Sequence, residues 1–382
     1  MLDMEKKYWL IKTGLLTLIL PAIIMGFNYF MDPLWCFDIS HQYNQFQVQI
    51  NERRQKTNYI TYHDFNYRGL LIGSSRTTFI SQYAFKGLPV YNYSVSSLRV
   101  DELSILTDYA KKRNGRDFDY IFLGLDFENA RLHKPEEIRY GSVSEIIEDT
   151  NSLLYRLKTL ISIDTAKHSW QNLQNYRRGT PRYYDRNNVV HIGKLTRETL
   201  LSIYSLCMKE YTDKTKPPYH HFIYHERYKK YLERFKKENR RSKIIVILTP
   251  ASVPVMELIV AYGLLDNYFR WISEVIDVFG EAYLFMYPNS VTSDYLNSFF
   301  DPSHMKPHVG DMIVDFIYNK NSRADSDFGM LITRANIKEK RPLLERLMKN
   351  ARDRELKSYI SREPALLRVH RKPSFQPVKS GS

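Results

Sequence analysis

Apolar and polar positions change their pattern three times along the 382 residues of the chain. The first regime is Thr13 to Phe30, TGLLTLILPAIIMGFNYF, eighteen residues without a charge. A stretch of that length can cross a hydrocarbon core, and Trp9 and Tyr29 provide interfacial aromatics at its two ends. Lys6, Lys7 and Lys12 precede it and Asp32 follows, so the positive-inside rule puts the N-terminus in the cytoplasm and the rest outside. A cleavable signal peptide is the rival. The span is long for a signal core and no small-x-small site follows it, which favours an uncleaved, single-pass anchor. Later stretches are too short or too polar for a second span.

The second regime is a run of short apolar segments separated by helical periods. Gly69–Gly73, Pro89–Asn92 and Phe118–Gly124 read as strands, with Arg99 to Lys112 between the last two placing Leu103, Leu106, Tyr109 and Ala110 on one helical stripe. From 129 to 241 the alternation stops in a helical or irregular stretch rich in Tyr and Arg. It resumes with Ser242–Leu248, a long helix over Val253–Phe279, a strand at Ala282–Met286 and a helix from Gly310 to Tyr318. Alternating strands and helices predict an α/β fold: a doubly wound parallel sheet, here carrying a helical insertion and preceded by one transmembrane helix. The predicted organisation is a cytoplasmic N-terminus (1–12), an anchor (13–31), a spacer (32–68), an α/β domain (69–320, insertion 129–241) and a basic tail (321–382). In that tail Leu343, Leu344, Leu347, Met348 and Ala351 recur at helical spacing.

Composition modifies this picture in two places. The formal charge of +14 is concentrated late: from Arg334 onward there are 14 Lys/Arg against 5 Asp/Glu. No RNP-type motif, zinc finger or helix-turn-helix accompanies it, so nucleic acid is set aside in favour of an anionic membrane surface or acidic polymer. The two cysteines, Cys36 and Cys207, are too few for a disulfide scaffold and are expected unpaired.

Candidate chemistry lies where ligands sit in an open parallel sheet, beyond the carboxyl ends of strands. Gly73-Ser74-Ser75-Arg76 follows the first strand, Leu125-Asp126 the third, and Asp301-Pro302-Ser303-His304 the last, before the closing helix. A serine hydroxyl needs a base, and the base needs a third group to fix its tautomer; Asp301 and His304 on one short loop can supply both. If the loop after Gly73 opens a helix, its N–H groups could stabilise an oxyanion. The competing reading makes the serine a helix N-cap and Asp301/His304 a turn cap. A second D-x-x-H, Asp38 to His41, precedes every strand and is taken as an accident of the spacer. Arg76 adjoins the serines, and His308, four residues past His304, could share its helix face and touch substrate. Arg178 and Tyr183, in Tyr176-Arg177-Arg178 and Arg182-Tyr183-Tyr184, could line a groove for an anionic glycan. His220, His221 and His225 lack a completing carboxylate or cysteine at ligand spacing, so no metal or cofactor is expected.

These blocks resemble the SGNH hydrolase superfamily from Gly69 to about Tyr318, the insertion excepted. Gly73-Ser74-Ser75 resembles the first block, usually Gly-Asp-Ser, which implies Ser75 and not Ser74 as nucleophile. Asn92 to Ser97 resembles the second, with Ser97 where an oxyanion-hole glycine usually lies. Gly124-Leu125-Asp126 resembles the third, with Asp126 in place of asparagine; a carboxylate cannot donate to an oxyanion unless protonated. Asp301–His304 matches the last. The Gly-Ser-Ser block behind one anchor is most similar to the envelope branch, which includes the D-alanyl-lipoteichoic acid transfer and alginate O-acetylation proteins. The resemblance implies a bacterial cell-membrane protein with an extracytoplasmic catalytic domain. It also implies acyl transfer to, or removal from, an envelope polysaccharide, beside a membrane-bound O-acyltransferase. The alternative is a non-catalytic glycan-binding or scaffold subunit of such a complex.

Overall fold

The computed structural model describes residues 2–133, 141–213, 219–319 and 326–351. In chain order the helices and strands are α1 (Leu2–Met31), α2 (Glu52–Tyr62), β1 (Gly69–Ile72), β2 (Val90–Asn92), α3 (Glu102–Asn114) and β3 (Tyr120–Leu125). Then come α4 (Val143–Thr150), α5 (Tyr155–Ile161), α6 (Ile163–Arg178), β4 (Arg182–Tyr184), β5 (Val190–Ile192), α7 (Arg197–Tyr211) and α8 (Tyr228–Glu238). The remainder are β6 (Lys243–Leu248), α9 (Val253–Ala261), α10 (Leu265–Phe279), β7 (Glu281–Leu284), α11 (Ser290–Ser293), α12 (Tyr295–Ser298), α13 (Pro307–Tyr318), β8 (Met330–Thr333) and α14 (Ile337–Asn350). The described residues form two compact units, one of 2–65 and 141–188, the other of 66–133 and those from 189 to 351.

The larger unit is built on a six-stranded sheet of order β2-β1-β3-β6-β7-β8. Its first five strands are parallel, with Leu71 opposite Asn92 and Phe122, and Gly124 opposite Ile247. Their near-continuous apolar runs fit a sheet covered on both faces, and β1 is buried throughout. Successive strands run outward from β1 in both directions, so the order reverses between β1 and β3, where open α/β sheets leave a crevice. Two glycines close this region: a Cβ on Gly73 or on Gly124 would overlap Thr77 Oγ1.

The sheet departs from the all-parallel expectation at its edge. Met330–Thr333, predicted to lie in the tail, forms β8 and pairs antiparallel with β7. The predicted helix over Val253–Phe279 is broken into α9 and α10, because Gly263 takes a left-handed φ of 69° between them. The amphipathic helix foreseen in the tail is α14, yet it belongs to this unit: Leu344 and Met348 are fully buried and Arg341 lies over the Phe269 ring. Residues 352–382 lie outside the described residues.

The smaller unit starts with α1, whose stretch Lys6–Met31 contains an eighteen-residue window of mean hydropathy 2.0, long and apolar enough to cross a membrane. Its last turn is built into the unit. Asn28 is buried, donates to the carbonyls of Leu160 and Ser162 at 2.7 and 3.0 Å, and accepts from Ser169 Oγ at 3.0 Å. Asp32, at a φ of 38°, accepts from the N–H groups of Cys36 and Phe37 and pairs with Arg186 at 2.7 Å. The stretch predicted as a spacer holds α2, which is polar yet buried along most of its length. Burial is compensated group by group: Gln55 donates to Pro33 O, Asn58 to Leu34 O, and Tyr184 to Glu52. The predicted insertion is therefore shared between units, α4, α5 and α6 in this one and α7 and α8 in the other. It also carries two three-residue strands, β4 and β5. Cys36 and Cys207 are both free thiols.

Candidate active site

Parallel pairing places the chemistry at one end of the larger unit's sheet. Beyond the last ladder residues, Tyr93 N–H donates to Leu71 O and Val95 N–H to Gly73 O, so the chain after β2 stays beside the chain after β1. On the other side Thr249 N–H donates to Leu125 O, extending β6 alongside β3. Gly73-Ser74-Ser75-Arg76 leaves β1 into a short 3-10 turn, Thr77–Phe79, and not into the predicted α-helix. A three-residue turn has no helix-end field; what this loop can offer an oxyanion is its individual N–H groups.

His304 reaches Ser75 from a loop fastened at several points. Phe300 N–H donates to His304 O, Phe299 and Met305 bridge, and Ser252 holds Pro302 O through its N–H and its hydroxyl. Within the loop, the N–H groups of Ser303 and His304 donate to Asp301 Oδ1 at 2.8 and 2.9 Å. His304 Nδ1 lies 2.7 Å from Asp301 Oδ2, and Nε2 lies 2.8 Å from Ser75 Oγ. With Asp301 ionised, Nδ1 carries the proton and Nε2 is free to accept from the serine. Burial opposes the charged form of Asp301. The charge and hydrogen bonds of His304, with the Ser303 N–H, outweigh it and hold the carboxyl below the ordinary range. The D-x-x-H pair thus follows the last parallel strand and precedes the antiparallel edge strand, with α13 opening at Pro307.

Ser74 is turned away from this relay. Its hydroxyl donates to the Asp126 carboxylate, which also receives the Thr249 hydroxyl. Burial raises the pKa of Asp126, against the charge of nearby Arg76. Both carboxylate oxygens are engaged by these hydroxyls, so Asp126 organises the floor of the site. Asn129 is likewise engaged, accepting from Asp126 N–H at 2.9 Å and donating to Leu98 O at 2.5 Å. Ser97 sits at the cavity with a φ of 50°, the left-handed region that favours glycine.

A cavity of about 220 Å³ joins these groups: Ser75, Ser97, Asp126 and His304 all line it. Arg76 also lines it, 4% exposed and paired with Glu128 at 2.6 Å, while its Nη1 is buried without a hydrogen bond. Burial works against the Arg76 charge, but Glu128 and Asp126 outweigh it and raise its pKa; Glu128 is lowered in return. Tyr219 donates to Glu128, and Tyr211 shares a 2.9 Å hydrogen bond with Ser303.

Three predicted substrate contacts are not among the lining residues. His308 is exposed in the first turn of α13, and His304 is not helical, so the two share no helix face. Arg178 ends α6, exposed, and Tyr183 packs on Phe46 with ring centroids 4.5 Å apart, both within the smaller unit. His220 lies against the Tyr262 ring and His225 accepts from Arg227 N–H; no cluster of potential metal ligands occurs among the described residues. Sequence reasoning missed Thr249, Tyr211, Tyr219 and Glu128. Thr249 directly follows the fourth parallel strand, so the strand-end rule could have found it. The tyrosines come from the insertion, where no pattern marks them. Neither a scan against family models nor a comparison with curated proteins finds a match to this chain.

Proposed function

We propose that this chain is an SGNH-type serine esterase or O-acyltransferase, held by α1 in a bacterial cell membrane and working on an envelope polysaccharide outside the cytoplasm. The observation that carries the reading is the unbroken chain from Ser75 Oγ through His304 to Asp301. Ser75 Oγ attacks an ester carbonyl as its proton passes to His304 Nε2, and Asp301 stabilises the imidazolium. Collapse of the tetrahedral adduct breaks the ester bond, returns the proton to the leaving alkoxide and leaves acyl-Ser75. A sugar hydroxyl or water then repeats the steps in reverse. The site's small cavity, about 220 Å³, suits a short acyl group. The SGNH assignment is supported by the convergence of Ser75, Ser97, Asp126 and His304, one from each block, on that cavity.

A second reading, a non-catalytic subunit that binds glycan or scaffolds a membrane-bound O-acyltransferase, is favoured by Asp126, whose carboxylate oxygens are both engaged by hydroxyls. One comparison separates them. A fluorophosphonate should label the full-length protein and fail on Ser75→Ala, and envelope polymer acylation should change together in strains carrying Ser75→Ala or His304→Ala, falling for a transferase and rising for an esterase. Acylation unchanged in both strains would exclude the catalytic reading.

A further inference from the structure

Two helices of the smaller unit are patterned inside out. On α6 the buried positions are Thr165, Ser169 and Asn172, small or polar, while Ile163 is 66% exposed and Trp170 51%. The buried polar groups bond inward: Ser169 to Asn28, and Asn172 to Val48 N–H and Gln47. On α5 Tyr155 and Thr159 are buried, whereas Leu153 and Leu154 just before the helix, and Leu157 and Ile161 within it, are exposed. A helix facing water shows the reverse. The apolar side chains lie on the outer sides of two helices joined at Ser162, interspersed with the exposed Arg156, Lys158 and Lys167, the last paired with the exposed Asp164 at 2.8 Å. Aliphatic residues with tryptophan and lysine are the mixture found where a helix lies in a lipid headgroup layer.

The anchor gives this face its depth. Asn28 lies twenty-two residues past Lys6 on one continuous helix. At a rise of about 1.5 Å per residue that is roughly 33 Å, close to the thickness of a hydrocarbon core. With Lys6 and Lys7 at one interface, Asn28 stands at the other. It is hydrogen-bonded there to Leu160, Ser162 and Ser169, which belong to α5, α6 and their junction.

We infer that the outer face of α5 and α6 is a membrane-contact surface, seated in the lipid headgroup layer of the leaflet from which α1 emerges. The inference rests on the reading of α1 as a membrane-spanning anchor. It gives the smaller unit two attachments, one spanning and one lying flat, so that this unit is fixed in tilt as well as tethered. The occupant is lipid and not a protein, because the opposite, buried faces of these two helices are clamped to the spanning helix at the depth of the interface.

The test uses the full chain in phosphatidylcholine–phosphatidylglycerol vesicles, in a Cys207→Ser background with Cys36 buried. An environment-sensitive fluorophore is placed at Leu157→Cys or at Ile19→Cys, both replacing exposed side chains. The label at 157 should be quenched by lipids spin-labelled near the headgroup and protected from aqueous iodide, and the label at 19 by lipids spin-labelled deep in the acyl chain. Quenching at 157 by iodide and not by lipid overturns the proposal, as does protection from both, which would mean that a second copy covers the face. An unquenched label at 19 would sink the anchor reading itself, whereas quenching at 19 with water exposure at 157 sinks only the membrane-contact surface.

Discussion

Ser74 Oγ and Ser75 Oγ, one residue apart, take different partners: the first donates to Asp126, the second faces His304 Nε2 at 2.8 Å. Backbone geometry after β1 makes this division, and spacing could not, which is why the choice of Ser75 needed a family resemblance. Replacing Asp301 with Asn keeps the loop's shape but favours the wrong imidazole tautomer. Its rate on a small aryl ester should fall about 10⁴-fold, while Ser74→Ala, which leaves the relay intact, should retain fluorophosphonate labelling. A second residue-scale consequence concerns Lys56, fully buried with its Nζ 5.3 Å from the Tyr184 ring centre. Burial, partly offset by Glu52, brings its pKa from 10.5 to about 8. Between those values the unfolded chain binds a proton that the folded one does not, so stability rises with pH across that window. Below it the cost of burying the ammonium is present in full. In Lys56→Met that rise should vanish, seen as a diverging difference between the wild-type and variant urea-unfolding curves from pH 8 to pH 10. Parallel curves would show that Lys56 holds its proton.

At the scale of elements, legibility follows how burial is achieved. β1, β3 and β6 are buried by apolar side chains and were plain in the sequence. α2 is buried by hydrogen-bonding polar side chains, Glu52, Gln55, Lys56 and Asn58 among them, so its composition reads as solvent-facing spacer. The edge strand β8 is four residues long and gains its identity from pairing with β7, a tertiary fact. Asp301–His304 was legible because both partners sit on one loop, while Tyr211 and Tyr219 reach the site from an insertion without periodicity. The tight junction of β1, β3 and the Thr77 turn gives a direct prediction. Gly124→Ala sets a methyl against Thr77 Oγ1 in a core with no slack and should cost about 1–3 kcal/mol in thermal or denaturant unfolding. It should also slow labelling of Ser75, since Thr77 lies two residues beyond it. An unperturbed Gly124→Ala would mean that the turn yields freely.

Over the whole molecule the basic surplus separates into two parts. Arg341 on α14 is committed to packing, lying over Phe269 with its guanidinium 4.8 Å from the ring centre. Beyond residue 351 lie 8 Lys/Arg and 3 Asp/Glu, a surplus of 5. A chain ending at Ala351 keeps α14 and every residue of the site, and should therefore label with fluorophosphonate at the full rate. If instead envelope acylation in vivo collapses while labelling persists, the basic segment serves delivery or assembly and not chemistry. Loss of labelling itself would tie that segment to the site.

The hydrogen bonds of Asn28 have a consequence in time. Its partner Leu160 lies 132 positions later in the chain. At about 5–20 residues per second, a ribosome reaches those partners on the order of ten seconds after making the anchor. Until then Asn28 lacks these partners, and Asp32 must wait still longer for Arg186. The protein's first-made residues thus wait for part of their native surroundings while β1, β2 and β3 are made.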